Sequence, residues 1–303
     1  MTLKQLQFFK KTAELENISK ASKELYIAQP ALSKAIKDLE QELGYALFER
    51  NGKKISLNKN GDILYKYVLK IYSNVSHMEN ELKEANQQKP SAVNVSVRVA
   101  SKLLPAILSS FYSKYPSANL KIHQMTQASR HLPDHDIIID SKEFKSPAAS
   151  DREQLLLEER ILLALPCCHP LAKREKIFLA DLDGEPCCLL NEFSSLGKMV
   201  RSKLSVRHFT PKVIFESDNP HMIRDFLRLD LSYSLVPETS WQLKQDFPNL
   251  VLKEVEDFSC HRYIYLSYGQ SAYVSQAAKE FSRHVRDYFI GIQKSPGHGG
   301  AGD

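Results

Sequence analysis

The stretch from residue 19 to residue 50 constrains the fold of this chain more than any other. Apolar residues in its second half recur at spacings of four, three and four, as they do along one face of a helix. They are Leu32, Ile36, Leu39 and Leu43. Pro30 suits the first turn of such a helix, where no N–H is needed, and Gly44 suits its C-terminal cap. The spacing therefore predicts a helix over residues 30–43 with one buried face.

The opposite face of this helix carries hydrogen-bond donors and no carboxylate. Its polar residues are Gln29, Ser33, Lys34, Lys37 and Gln41. Such donors suit the major groove of DNA, where base edges and phosphates accept hydrogen bonds. A shorter helix, capped by Ser19 and ending near Leu25, precedes a turn, and Ala21 lets the two helices cross closely. The two helices predict a helix-turn-helix with these DNA-binding candidates: Ser19, Gln29, Pro30, Ser33, Lys34 and Lys37.

A first helix and a hairpin complete this N-terminal domain, which we predict over residues 1–58. The residues at helical spacing in the first helix are Leu3, Leu6, Phe9 and Ala13. Residues 46–50 and 54–57 can pair as two strands around the turn-forming dipeptide Asn51-Gly52. The hairpin is a wing, and its cationic tip adds three DNA-binding candidates that would contact phosphates, namely Arg50, Lys53 and Lys54. The alternative is that these three are ordinary solvated charges.

Residues 59–88 predict one long helix that begins after a capping residue, Asn58. Its apolar residues form a heptad seam, the pattern that supercoils two helices. The seam consists of Leu64, Val68, Ile71, Val75, Met78 and Leu82. We therefore predict a homodimer whose two recognition helices contact two half-sites of a roughly palindromic operator in double-stranded DNA. The alternative, an amphipathic helix packed on its own domain, would favour a broader apolar face.

Beyond a polar linker at residues 86–91, short apolar strands alternate with helices. Strands are predicted at residues 93–99, 120–124, 137–139, 161–165 and 187–190. Ser101 is predicted to cap a helix that ends before Pro116. This alternation predicts an α/β domain with parallel sheets of the doubly wound kind.

The run AQPALSKAIKDLEQELGYALFER, followed by NGKKISLNKNG, resembles the N-terminal signature of the LysR-type transcriptional regulators. The resemblance continues to about residue 290 through HPLAK, SSLGKMVRSKL and VIFESDNPHMIRDFL. It implies that residues 91–292 form a two-lobed effector domain similar to periplasmic binding proteins. Lobe I would hold residues 91–161 and 267–292, and lobe II residues 162–266.

The resemblance also implies partners: a small-molecule effector between the lobes, a tetramer formed when effector domains pair, and RNA polymerase. Three features depart from the family pattern. Ala28 stands where a Ser or Thr usually caps the recognition helix, residues 124–135 are too few for the usual helix and turn, and residues 229–232 replace a Gly-rich turn. We expect the second departure to shorten one wall of the effector pocket and the third to narrow or reshape it.

Two predicted helix N-termini in the effector domain are candidate anion sites, because free N–H groups and the helix dipole favour carboxylates and phosphates. Ser101 and Ser194 head these helices, with Lys102 and Ser195 as helpers. The effector-binding candidates are Ser101, Lys102, Leu103, Ser194, Ser195 and Asn219. The alternative is that both serines are caps without a ligand.

The five cysteines are predicted to be free thiols in a reducing compartment. They fall at Cys167, Cys168, Cys187, Cys188 and Cys260, two of them beside His169 and His261. Neighbouring residues of a strand face opposite ways, so neither pair offers a chelate, and we predict no metal site and no cofactor. A thiol-based redox sensor stays an alternative function.

Composition and missing motifs narrow the function classes further. The chain has 303 residues, 43% of them hydrophobic, and a net charge of +5, which fits a globular protein with a nucleic-acid partner. It lacks a signal peptide, a membrane-spanning run and the nucleophile, phosphate-loop, dinucleotide and zinc-protease motifs, so we predict a cytoplasmic protein that is not an enzyme. A solute-binding module without a DNA role is a second alternative. The Gly-rich tail at residues 295–303 is predicted to be disordered.

Overall fold

The structure is a computed structural model that describes residues 1–51, 54–86, 92–124, 135–146, 152–269 and 273–294. The chain forms two compact units that divide at about residue 90. No helix in the described ranges combines the length and apolarity needed to cross a bilayer. The predicted tail at residues 295–303 and most of the shortened segment at residues 124–135 lie outside the described residues.

The N-terminal unit is a winged helix-turn-helix followed by a long helix. Its elements are α1 (Leu3–Leu15), α2 (Ile18–Glu24), α3 (Gln29–Leu43), β1 (Phe48–Asn51), β2 (Lys54–Leu57) and α4 (Lys59–Ala85). Phe9 of α1 lies at the centre of the core, with its ring 5.4 Å from that of Phe48 and 6.4 Å from that of Tyr65. The predicted stripe of α3 is confirmed, because Leu32, Ile36 and Leu39 are buried.

The caps of these helices confirm some predictions and correct others. Gly44 ends α3 in the left-handed conformation at φ +76°, and the side chain of Asn58 accepts from the N–H of Gly61 at 2.9 Å at the start of α4. The prediction that Ser19 caps α2 was wrong. Asn17 is the cap, and its side chain accepts from the N–H of Lys20 at 2.9 Å.

The hairpin is present, with a register that differs from the prediction. Asn51 pairs with Lys54, so Asn51 ends β1 rather than forming the turn. The connecting residues, Gly52 and Lys53, lie outside the described residues. The side chains of Arg50 and Lys54 are likewise outside the description, and the phosphate contacts of all three cations stay predictions.

The first half of the predicted seam on α4 packs within its own domain. Val68 is fully buried there, while Leu64 and Ile71 pack against the same core. Val68 therefore has no surface to offer to a second chain, which contradicts its assignment to a dimer seam. In the second half, Val75 is half-buried and Met78 and Leu82 are exposed. The alternative of a helix packed on its own domain thus holds for the first half of α4.

The second unit is a two-lobed α/β domain. Its elements are β3 (Val93–Val97), α5 (Leu104–Lys114), β4 (Leu120–Gln124), β5 (Ile137–Lys142), β6 (Glu153–Pro166), β7 (Pro186–Leu190), α6 (Ser195–Val206), β8 (Lys212–Ser217), α7 (Pro220–Leu227), β9 (Ser234–Pro237), α8 (Leu243–Asp246), β10 (Leu250–Lys253), β11 (His261–Tyr268) and α9 (Gln276–Lys294). All five predicted strand positions hold a strand. The predicted run at residues 161–165 is the second half of β6, which is 14 residues long.

The sheets are mixed rather than wholly parallel, which corrects the prediction. β3 is parallel to β4 and β5, and β7 is parallel to β8. β11 is antiparallel to β5 and to the first half of β6, whereas β9 and β10 are antiparallel to the second half of β6. β6 therefore runs through both lobes, because one strand of this length can serve two cores.

Two separate hydrophobic cores define the lobes. The core of lobe I includes Leu157 of β6 together with Ile264 and Leu266 of β11. The core of lobe II includes Ile161 of β6 and Cys260. β6 leaves the core of lobe I and enters that of lobe II between Leu157 and Ile161, and the chain returns to lobe I after Cys260. The reason is that β11 completes the sheet of lobe I.

Candidate nucleic-acid interface and inter-lobe cleft

The exposed face of α3 presents a row of donors at four-residue spacing: Gln29, Ser33, Lys37 and Gln41. Three of these are exposed, and Ser33 is half-buried. The hydroxyl of Ser19 on α2 donates to Oε1 of Gln29 at 3.0 Å. This contact holds the Gln29 side chain beside the start of α3 and leaves its amide N–H groups to donate outward. Ser19, although not a cap, thus lies at the predicted DNA-binding surface.

The start of α3 carries no side-chain cap. Ala28 occupies the cap position without a side-chain hydrogen bond, as the sequence predicted, and Pro30 lies in the first turn. N–H groups at the start of a helix attract phosphates when no side chain satisfies them. The departure at Ala28 therefore leaves the N–H groups of this helix end without a side-chain acceptor.

One carboxylate on α3 accepts a hydrogen bond from the segment that connects α3 to the wing. Oε1 of Glu40 accepts from the N–H of Leu47 at 2.7 Å, just before β1. This bond gives the Glu40 carboxylate a structural role, because it joins α3 to the chain that leads into β1. Lys34 is exposed beside the donor row and can attract a phosphate, while Asp38, one turn further along α3, is exposed as well.

A cavity of about 80 Å³ lies between the two lobes, and we call it the cleft. Four of the six predicted effector residues line it: Ser101, Lys102, Ser194 and Ser195. Leu103 does not, because it is buried in the core of lobe I. Asn219 does not line it either. Its side chain caps α7 by accepting from the N–H of His221 at 2.9 Å. Residues 229–232 are not among the residues that line the cleft, so the expected narrowing or reshaping by direct contact is not seen.

The two serines that were predicted to be helix caps have different roles. Ser101 begins a short 3₁₀ turn, Ser101–Leu103, after Ala100 in the left-handed conformation at φ +58°. α5 starts later, at Leu104, without a side-chain cap. Ser194 does precede α6, but its side chain makes no capping hydrogen bond. The first-turn N–H groups of α6 therefore have no capping side chain, and Ser194 and Ser195 at this helix end line the cleft.

Three arginines that the sequence analysis missed also line the cleft: Arg98, Arg224 and Arg262. Each has a carboxylate partner. Arg98 Nη1 lies 2.7 Å from Asp140 Oδ2, and Arg224 pairs with Asp246. Helical spacing offers a signal for Arg224, because it is next to Ile223 and three residues before Leu227 on the buried side of α7. An arginine that is buried is rarely left without a partner.

Two ion pairs link the lobes. Nζ of Lys102 in lobe I lies 2.9 Å from Oδ2 of Asp246 in lobe II. The bond to Lys102 is the main cause of a lowered pKa of Asp246, with Arg224 contributing. This pair therefore stabilises the observed arrangement at neutral pH and is lost as the pH falls through that lowered pKa. In the second pair, Nζ of Lys203 in lobe II lies 3.3 Å from Oε1 of Glu143 in lobe I.

A buried carboxylate ties the crossing strands to lobe II. Glu159 of β6 is fully buried, and Arg262 of β11 donates from Nε to its Oε1 at 2.6 Å. The hydroxyl of Ser240 donates to Oε1 at 2.9 Å, and the N–H groups of Thr239 and Ser240 donate to Oε2 at 3.2 Å and 2.8 Å. A buried charge with this many donors is well compensated. These bonds fix the position where the chain crosses between the lobes.

Three of the five cysteines lie in surroundings that suppress thiolate formation. Cys167 and Cys168 are exposed just after β6, whereas Cys187 and Cys188 of β7 are both buried. Burial raises the pKa of Cys187 and of Cys188, and it raises the pKa of Cys260 to about 11. A redox sensor needs a thiolate at neutral pH, so these three buried thiols disfavour that alternative. Across the described residues, no three His, Cys, Asp or Glu side chains form a metal site.

The fold and the two surfaces define a winged-helix DNA-binding protein joined to a two-lobed small-molecule-binding domain. Residues 3–62 match the bacterial regulatory helix-turn-helix protein, lysR family, and residues 87–290 match the LysR substrate binding domain. The chain belongs to the LysR family of DNA-binding transcriptional regulators. The family resemblance and the two-lobed fold that the sequence analysis predicted are thereby confirmed.

Relatives match along nearly the whole chain. The uncharacterized HTH-type transcriptional regulator YybE of Bacillus subtilis (strain 168) is 26% identical over 293 residues, covering 95% of this chain and 99% of the relative. The transcriptional dual regulator GltC of the same strain is 26% identical over 302 residues, covering 97% of this chain and 99% of the relative. These matches place both units in one family of regulators.

Solved structures show the same fold over the full length. A full-length OxyR variant from Pseudomonas aeruginosa superposes with a TM-score of 0.65 at 19% identity, covering 94% of this chain and 98% of that one. Full-length CbnR, solved in complex with its target DNA, superposes with a TM-score of 0.60 at 19% identity, covering 95% and 99%. At this identity the likeness concerns the fold.

Proposed function

We propose that this regulator contacts operator bases through the donor row of α3 and responds to a small anionic effector bound in the cleft. The arrangement of Gln29 supports the first part, because Ser19 orients its amide beside two further donors, Ser33 and Lys37. An amide paired with adenine, or a lysine with guanine, is the kind of contact that gives sequence specificity. Lys34, Arg50, Lys53 and Lys54 would hold phosphates.

The effector part of the proposal is supported by the hydrogen-bond donors of the cleft lining. Arg98, Lys102, Arg224 and Arg262 line it, and their partners are the carboxylates of Asp140, Asp246 and Glu159. The free N–H groups at the start of α6 add to the attraction for an anion. A ligand that contacts Lys102 competes with the ion pair to Asp246, and so changes the angle between the lobes.

Replacing Lys37 by Ala tests the base contact. On an operator fragment selected from random duplexes by the unaltered protein, we expect a loss of about 1–3 kcal/mol in binding free energy. On random DNA, we expect little change at equal salt, because the lost bond carries sequence information. Fluorescence anisotropy measures both values. Lys66→Ala, at an exposed position of α4, is the matched control, and an equal loss on both DNAs would reduce Lys37 to a phosphate contact.

Replacing Lys53 and Lys54 by Ala tests the wing. Each phosphate contact that is lost should lower the slope of log K against log salt by about 1, since fewer counterions are released on binding. Binding to the selected operator is measured between low and moderate salt, with Lys66→Ala again as the reference. A slope that equals that of the unaltered protein would remove the wing from the interface.

A further inference from the structure

The cleft lies at the carboxyl ends of parallel strands in both lobes. Gln124, the last residue of β4, lines it from lobe I, and Leu190, the last residue of β7, lines it from lobe II. Open α/β sheets bind ligands at this edge. In lobe II, β7 and β8 end side by side, since Leu190 pairs with Ser217 and the N–H of Asn191 donates to the carbonyl of Ser217 at 2.9 Å. The segments that follow these strands therefore begin next to each other.

One of these segments leads into an anion-binding position. It ends at Ser194, whose side chain does not cap α6, so the first N–H groups of this 12-residue helix are available. Arg224, which lines the same cavity, has a second donor without an acceptor. Its Nε is buried and makes no hydrogen bond, and the residue is 6% exposed. Buried donors of a guanidinium are rarely left unpaired, so this nitrogen points to a bound acceptor.

The segment that follows β8 carries a negative group instead of donors for an anion. Asp218 directly follows β8, lines the same cavity and is exposed. In the part of the chain that the structure describes, no cation pairs with it. The other acid of the lining differs, because Asp140 receives Nη1 of Arg98 at 2.7 Å and the N–H of Ser141 at 2.8 Å. Asp218 is thus the carboxylate of the lining whose charge is left to a ligand.

We propose that the effector is a zwitterion of the amino-acid class, with its carboxylate at the start of α6 and Arg224 and its ammonium group at Asp218. The inference depends on the proposed function in one respect, that the cleft holds the effector. The two charged groups of an α-amino acid are adjacent, as are the chain segments after β7 and β8. A simple carboxylate would leave Asp218 unpaired, and a dicarboxylate would bring a second negative charge towards it.

Ligand binding to the full-length protein tests this assignment. Thermal shift followed by titration calorimetry is run with the twenty protein amino acids. The strongest binder is then compared with the acid that lacks its ammonium group and with the amine that lacks its carboxylate. We expect each analogue to bind at least about tenfold more weakly, since each loses one charged pair.

The variant Asp218→Asn separates the two halves of the ligand. It should weaken the amino acid about tenfold and leave the deaminated acid unchanged, so that the two bind alike. Asp225→Asn is the matched control, because Asp225 lies on the neighbouring helix α7, is exposed and does not line the cleft. An unaltered preference for the amino acid in Asp218→Asn would overturn the proposal.

Two other outcomes would overturn it in different ways. If the deaminated acid binds the unaltered protein as tightly as the amino acid, the anionic effector stands and the zwitterion is rejected. If neither the amino acids nor their acids bind, the effector assignment fails as well, whereas operator binding by the same preparation shows whether the DNA-binding function is intact.

Discussion

Glu159→Ala is expected to lower the free energy of unfolding of the effector domain by about 3–5 kcal/mol, because it leaves the buried Arg262 guanidinium without its counter-ion. The same change also removes the acceptor for the N–H groups of Thr239 and Ser240. Urea unfolding measures the loss. Trp241 is the single tryptophan of the chain, is buried and follows Ser240 directly, so its fluorescence reports on this cluster.

The neighbouring residue provides a matched control for this prediction. Glu158 is exposed, and its Oε2 lies 3.6 Å from Nζ of Lys145. An ion pair in solvent contributes little to the free energy of unfolding. Glu158→Ala should therefore change stability by less than about 1 kcal/mol. The double variant Glu159→Leu with Arg262→Leu removes both charges and should be much less harmful than Glu159→Ala alone. If Glu159→Ala and Glu158→Ala have the same free energy of unfolding, the buried cluster does not stabilise the place where the chain crosses between the lobes.

The recognition helix could be predicted from the sequence because its determinants are local. The burial of Leu32, Ile36 and Leu39 follows from spacing along α3, and the stop at Gly44 follows from backbone conformation. The contact from Ser19 to Gln29 could not be predicted, since spacing does not report the angle between helices. Capping by Asn17 instead of Ser19 shows the same limit, because both residue types suit a cap and their positions differ by two.

The charged residues of the cleft depend on contacts that are distant in sequence. Arg262 and Glu159 are 103 positions apart, and they meet because β11 turns back along β6. Ser194 was found because a serine before a helix is a local signal. Asp246 was missed because its partner Lys102 belongs to the other lobe, and no local pattern reports a pair that forms across a cavity.

Periodicity also failed to identify what buries each residue of α4. A heptad seam is apolar whether its partner is a second helix or the core of its own domain. The structure assigns Val68 to the core and leaves Met78 and Leu82 exposed, at 52% and 57%. Two further apolar residues of α4, Ile63 and Tyr67, are exposed at 50% and 61%. The surface available for dimerisation is therefore displaced from the predicted seam in the first half of the helix.

The double variant Met78→Glu with Leu82→Glu is expected to weaken binding to a two-half-site operator by on the order of a hundredfold to ten-thousandfold. Charges at these positions would repel across a dimer interface, so each chain would bind one half-site alone. Binding to an isolated half-site should stay unchanged, because α3 is not altered. Anisotropy with both DNAs, together with mass photometry of the free protein, measures the two effects.

A matched pair of substitutions controls for the loss of exposed apolar surface. Met222 and Leu229 are exposed at 49% and 56%, close to the values for Met78 and Leu82, and they lie in the effector domain. Met222→Glu with Leu229→Glu should leave affinity for both DNAs unchanged if the effect on α4 is specific. Equal masses and equal operator affinity for the α4 variant and the unaltered protein would mean that α4 does not join the two chains. The spacing of the half-sites would then have to be set by another interface, since paired sites require a fixed separation between recognition helices.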